Sequence, residues 1–147
     1  MKSKTLSTER IMGIAIGLVY LWFGVLKFFP ELSPAEKLAQ ETISSLTFHT
    51  IPGNVSIILL AIWETVVGVL LIFDKWRKPA ILLALLHMVC TFTPLFLFPR
   101  ESFTALPYGF TLVGQYIFKN IVFIVALVML WKNSPQERFF SYSTKDN

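Results

Sequence analysis

Apolar residues gather into four long, nearly unbroken runs along this chain. They read IMGIAIGLVYLWFGVLKFF from 11 to 29, VSIILLAIWETVVGVLLIF from 55 to 73, PAILLALLHMVCTFTPLFLF from 79 to 98 and FTLVGQYIFKNIVFIVALVMLW from 110 to 131. Each is about 20 residues long, which at a rise of ~1.5 Å per residue crosses a hydrocarbon core of about 30 Å. Lipid offers backbone groups no hydrogen-bond partner, so such runs must be helices. The pattern predicts an all-α membrane protein, a four-transmembrane-helix bundle forming one integral membrane domain over residues 1–147. Between the first two runs, Ser33, Pro34 and Glu36 have the spacing of a capping box. Ala35, Leu38, Ala39, Thr42, Ile43 and Leu46 then recur at helical spacing, predicting a short amphipathic outer helix between helices 1 and 2. Residues 99–109 read as a second outer loop, and Pro94 should bend the third span, with Thr91 helping to satisfy the carbonyl of Cys90.

Composition agrees with lipid as the solvent: 54% of residues are hydrophobic, mean hydropathy is +0.63, and only 15% are charged, against roughly 25% in ordinary soluble domains. Of the 13 Lys and Arg, Lys2, Lys4, Arg10, Lys75, Arg77, Lys78, Lys132, Arg138 and Lys145 lie in the N-terminal segment, the second connection and the C-terminal tail. The positive-inside rule therefore predicts N- and C-termini in the cytoplasm and residues 31–54 outside. The formal charge of +4 is then an insertion signal and a fit to an anionic leaflet; the partner it implies is the lipid bilayer, and it does not argue for nucleic acid. The first run ends in LKFFPEL, too bulky for signal-peptide cleavage, so it is expected to be retained. Trp76 and Trp131 have the places of inner-interface anchors, and Phe139, Phe140 and Tyr142 could rest at the same interface.

What changes this picture from scaffold to function is polarity inside the spans. Gly13, Gly17, Tyr20, Gly24 and Lys27 form one stripe on the first, Ala61, Glu64 and Gly68 on the second, Ala80, Ala84, His87, Thr91 and Pro94 on the third, and Gln115, Lys119, Val122 and Ala126 on the fourth. Stripes of small residues mark helix contacts in membranes, so these faces are expected to point inward. Counted from the span boundaries, Glu64, His87 and Lys119 fall near one depth. An unpaired charge there costs about 2.5–3.5 kcal/mol, and Glu64 and Lys119 are therefore expected to pair. With His87 beside them they form the candidate catalytic, proton-handling site. Lys27 and Arg100 mark the outer rim, Gln115 lies about a turn below, and Trp22 is placed to line either lipid or a flat-ligand pocket. The lone Cys90 leaves no dithiol chemistry. His49 and His87 have no companion Cys or carboxylate cluster, so no metal site is expected. Nor is there a phosphate-cradling glycine loop or a serine elbow.

The strings YLWFGVLKFFPEL, AIWETVVGVLLI, LLHMVCTFTPLFLFPRE and LVGQYIFKNIVFIVAL resemble the DoxX-like family of small four-helix membrane proteins, and most of all its reactive-chlorine resistance branch. The resemblance runs over roughly residues 14 to 128, and Trp22, Gly24, Lys27, Phe28, Glu64, Gln115, Lys119 and Asn120 are the matching positions. It implies a multi-pass protein of the bacterial inner membrane, in a family where some members are linked to sulfur-compound oxidation with membrane quinone as acceptor and others to assembly of partner membrane proteins. Two functions are open at this point. One is a quinone-linked oxidoreductase component or redox-stress resistance factor, with Glu64, His87 and Lys119 moving protons and Lys27, Arg100, Gln115, Asn120 and Trp22 binding the substrate. The other is a non-catalytic assembly protein, its polar cluster structural, docking a membrane or extracytoplasmic protein or a further copy of itself.

Overall fold

A computed structural model describes residues 7–30, 32–33, 35–105 and 107–134 of the 147-residue chain. Helix α1 spans Thr8–Leu26, α2 Glu36–Leu46, α3 Gly53–Phe73, α4 Arg77–Thr91, α5 Pro94–Leu97, α6 Pro99–Ser102 and α7 Leu112–Lys132; strands β1 (Phe103–Ala105) and β2 (Gly109–Phe110) lie before α7. Four stretches, α1, α3, α4 continued through α5, and α7, are long and apolar enough to cross a membrane. The chain is a multi-pass, all-α membrane protein in which lipid-facing helices form a bundle.

Local chemistry accounts for the ends of these helices. Ser7 caps α1 by accepting from the Arg10 amide at 3.3 Å, and Thr111 caps α7 by accepting from the Gly114 amide at 3.1 Å. Between α3 and α4, Asp74 and Trp76 adopt left-handed conformations that reverse the chain within a few residues. The Asp74 carboxylate holds Arg77 and, at 3.6 Å, Arg10 of α1. This end of the bundle is called the Asp74 end below; the opposite one, carrying α2, α5, α6 and the hairpin, is the α2 end.

Packing begins with α1 against α3, the closest helix pair. A Cβ on Gly17 would come within 2.8 Å of the Gly68 carbonyl oxygen, and one on Gly68 within 2.6 Å of the Leu21 amide nitrogen. Only glycine lets the two backbones approach this closely, as small-residue stripes do in membranes. Contact of α3 with α4 and of α4 with α7 closes the bundle, while α1 and α7 touch more lightly. Ile16, Tyr20, Val67, Leu71, Ala80, Ile81, Ala84, Met88, Leu127 and Leu130 form the core.

Three local expectations are corrected. Helix α2 starts at Glu36 behind a left-handed Ala35, with no side-chain cap. Ser33 is buried with its hydroxyl unpartnered, and Pro34 lies outside the described residues. The helix does turn Leu38 and Thr42 inward as its pattern requires. At the bend before Pro94, Thr93 rather than Thr91 satisfies the Cys90 carbonyl, with its hydroxyl at 2.7 Å and its amide at 3.2 Å; Thr91 instead donates to the Met88 carbonyl. A threonine three residues beyond the orphaned carbonyl reaches it, whereas one a single residue beyond bonds back into its own helix. Finally, the segment expected as a loop contains α6 and the antiparallel pair β1–β2, with Phe103 opposite Phe110. Stacked Phe103, Phe110 and Phe118 rings, 4.9 and 5.2 Å apart, bind that hairpin to α7. Lys2, Lys4, Arg138, Phe139, Phe140, Tyr142 and Lys145 lie outside the described residues.

Candidate functional site

Three helices contribute to one buried polar cluster. Lys27, at the C-terminal end of α1, donates to Glu64 Oε2 of α3 at 2.7 Å. The other carboxylate oxygen, Oε1, lies 3.3 Å from His87 Nε2 of α4. On the far side of the imidazole, Nδ1 is 3.2 Å from the Tyr20 hydroxyl of α1, which in turn donates to the Ala84 carbonyl at 3.0 Å. The side chains of Lys27, Glu64 and His87 are only 10%, 7% and 12% exposed. The chain Lys27, Glu64, His87, Tyr20 thus crosses from α1 through α3 and α4 and back to α1.

A neutral imidazole carries its proton on one nitrogen: on Nδ1 it donates to the Tyr20 hydroxyl, on Nε2 it donates to Glu64 Oε1. A carboxylate, an imidazole and an ammonium in one hydrogen-bonded line are the group types that a proton relay uses.

Glu64 was expected to pair with Lys119; its partner is Lys27. The reason lies in helix direction. Side chains on a helix lean toward its N-terminus. Because α1 runs toward the α2 end, Lys27 leans back into the bundle, and its Nζ also reaches the Phe23 carbonyl at 3.4 Å. Because α7 starts at the α2 end, Lys119 leans outward, its Nζ lying over the Tyr116 ring at 5.4 Å. Lys119 is only seven residues, about 10 Å, from the start of α7, so leaning that way brings its ammonium close to the rim.

The other candidate residues divide. Asn120 faces inward and donates to Thr91 Oγ1 at 3.1 Å, tying α7 to α4. Gln115, Arg100 and Trp22 are exposed, and among the described residues no hydrogen bond or ion pair joins them to Lys27, Glu64 or His87. The buried residues of α7 are Gly114, Ile117, Leu127 and Leu130; of the stripe through Gln115, Lys119, Val122 and Ala126, Ala126 packs against the core and the other three are exposed. Tyr20 is the member that sequence reasoning placed on the inward stripe without assigning it a role. Its position one stripe step below Gly24 and Lys27, with a hydroxyl in an otherwise apolar turn, was the available signal.

Below the cluster, toward the Asp74 end, Ile16, Val67, Leu71, Ile81, Leu127 and Leu130 are all buried, an apolar plug without a polar step. Above it, α1 stops early. Gly24 lies level with Glu64, where a Cβ on the glycine would be 3.0 Å from Glu64 Cβ. From that level α1 continues only to Leu26, whereas α3 extends eleven residues to Gly53, about 16 Å. The cluster accordingly sits beneath the shorter wall of the bundle. An open cavity of about 290 Å³ lies elsewhere, lined by Gln40, Glu41, Ser44, Ser45, His49, Gly53 and Phe98. Its Ser44–His49 hydrogen bond of 2.7 Å belongs to the C-terminal turn of α2, where the His49 amide also bonds the Ser44 carbonyl.

Fold and site together define a polytopic helical membrane protein with a buried cluster of ionisable side chains. No protein-family model, no curated protein and no solved structure matches the chain.

Proposed function

We propose that this is a DoxX-like protein of the bacterial inner membrane, termini cytoplasmic, that serves as a quinone-linked oxidoreductase component or redox-stress resistance factor. Reducing a quinone to a quinol takes two electrons and two protons. The resemblance names sulfur compounds as the class of electron donor. Protons are the scarce reagent at hydrocarbon depth, and the observation that supports the reading is the buried Lys27, Glu64, His87, Tyr20 chain, whose ionisable groups lie in one hydrogen-bonded line. Glu64 and His87 keep the proton-handling role expected of them; Lys27 and Tyr20 join them, and Lys119 takes a binding role instead. With the positive-inside orientation, the α2 end faces outward, so the protons come from the extracytoplasmic side and the apolar plug prevents a leak to the cytoplasm.

The test is to purify the protein in a mild detergent, quantify extracted quinone, and compare wild type with Glu64→Gln and His87→Phe in quinone-dependent turnover or oxidant survival. Loss of about 10²-fold or more in folded variants is expected for groups that transfer protons. Undiminished activity in both variants would make the cluster structural and favour the assembly role.

A further inference from the structure

Exposure rises along one face of α7 toward the α2 end, and α1 exposes Phe23 beyond its buried Tyr20. On α7, Leu112, Tyr116, Lys119, Phe123, Ala126 and Leu130 follow one another at steps of four, three, four, three and four, one face of the helix. Its Asp74-end half is covered, with Leu130 fully buried, while its α2-end half is open, with Tyr116 56% exposed and Leu112 and Lys119 exposed as well. On α1, Ile16 and Tyr20 are buried and Phe23 is 40% exposed, while Lys27 one turn further on keeps its side chain covered on Glu64. The two helices meet near the Asp74 end, where a Cβ on Gly13 would lie 3.8 Å from Leu130 Cδ2. Toward the α2 end, α7 turns instead to the hairpin, through Phe110 and Phe118.

We infer that α1 and α7 part toward the α2 end to leave a cleft open sideways to the bilayer, and that a quinone ring enters it between Phe23 and Tyr116, with a carbonyl oxygen on the Lys119 ammonium. This rests on the redox reading and supplies its binding site. The ligand chemistry follows from the walls. An opening toward the bilayer admits lipid-soluble molecules, an exposed aromatic on each wall favours a flat ring, and a single ammonium with no carboxylate partner among the described residues calls for a hydrogen-bond acceptor. Tyr20 and Lys27 flank Phe23 on the α1 wall, so the same ring would stand beside the proton cluster. Lys119 thereby has a reason to lie within a span without belonging to the ion pair.

A photoreactive azidoquinone applied to the full-length protein in proteoliposomes tests the placement. The expected result is crosslinking to the segments 22–27 and 112–120, abolished by excess unlabelled quinone, with about tenfold weaker competition in Lys119→Met, the loss of one charge-assisted hydrogen bond. Competed labelling confined to other segments, such as the rim of the Gln40 to His49 cavity, would overturn the cleft and leave the redox reading standing. Absence of competed labelling anywhere would overturn both.

Discussion

Removing the Lys27 ammonium should cost far more than removing that of Lys119, although sequence alone ranks them the other way. At 2.7 Å and an effective dielectric of about 20, the gross attraction between Lys27 and Glu64 is about 6 kcal/mol. Desolvating two ions offsets much of this, so the pair adds little net stability, but breaking it leaves one charge without its partner. Lys27→Met is therefore expected to destabilise the bundle by about 3 kcal/mol, the lower end of the usual 3–5, because Glu64 can take up a proton beside His87. Glu64→Gln should cost a similar amount, and the double variant should recover at least about 2 kcal/mol of the combined loss. Lys119→Met forfeits an exposed contact with Tyr116 and should cost no more than about 1 kcal/mol. Reversible unfolding in mixed detergent–SDS micelles, followed by tryptophan fluorescence, measures all four proteins. Additive losses for Lys27→Met and Glu64→Gln, or a Lys119→Met cost equal to that of Lys27→Met, would refute both the pairing and the helix-direction argument behind it.

Other expectations follow from single contacts. Gly17→Val adds atoms where even a Cβ meets Gly68 and Ile72 at 2.8 Å, and should cost about 1–3 kcal/mol in the same unfolding assay; wild-type stability would mean that α1 and α3 do not touch there. Asn120→Leu should lose about 1 kcal/mol and Thr91→Val a comparable amount, with the double variant no worse than either, since both remove the same bond. In a Cys90→Ala background, Thr50→Cys should react with an impermeant thiol reagent on intact cells if the α2 end is extracytoplasmic; labelling only after lysis would reverse the orientation.

Much of the site was legible residue by residue. Glu64 and His87 were conspicuous because a carboxylate and an imidazole inside spans have few reasons to be there, and both lie in the cluster. That α1 packs closely through one face was legible in the spacing of Gly13, Gly17 and Gly24, and its partner there, α3, was not. The inward face of α7 was not. It carries polar residues on two adjacent faces, Lys119 and Asn120, and the rule that polar groups point inward cannot choose between neighbours about 100° apart. Asn120 won the inward place because a short amide finds Thr91 across the helix pair, whereas a long lysine can reach the rim.

The four spans and their helical form were determined by the chain itself, because a run of about 20 apolar residues in lipid has no other way to satisfy its backbone. The amphipathic pattern of α2 and the glycine stripe of α1 were local in the same sense. The partner of Glu64 was decided by tertiary structure. A charge pair depends on distance, and the distance between residues 27 and 64 is set by how far α1 slides along α3. Backbone contact at Gly17 and Gly68 stops that slide with Gly24 level with Glu64. A lysine one turn further on, leaning back toward its own N-terminus, then meets the carboxylate. Shifting the register by one turn, about 5.4 Å, would carry Lys27 past it. Side-chain identity supplied the charges, and the stacking of two helices chose which of them would meet.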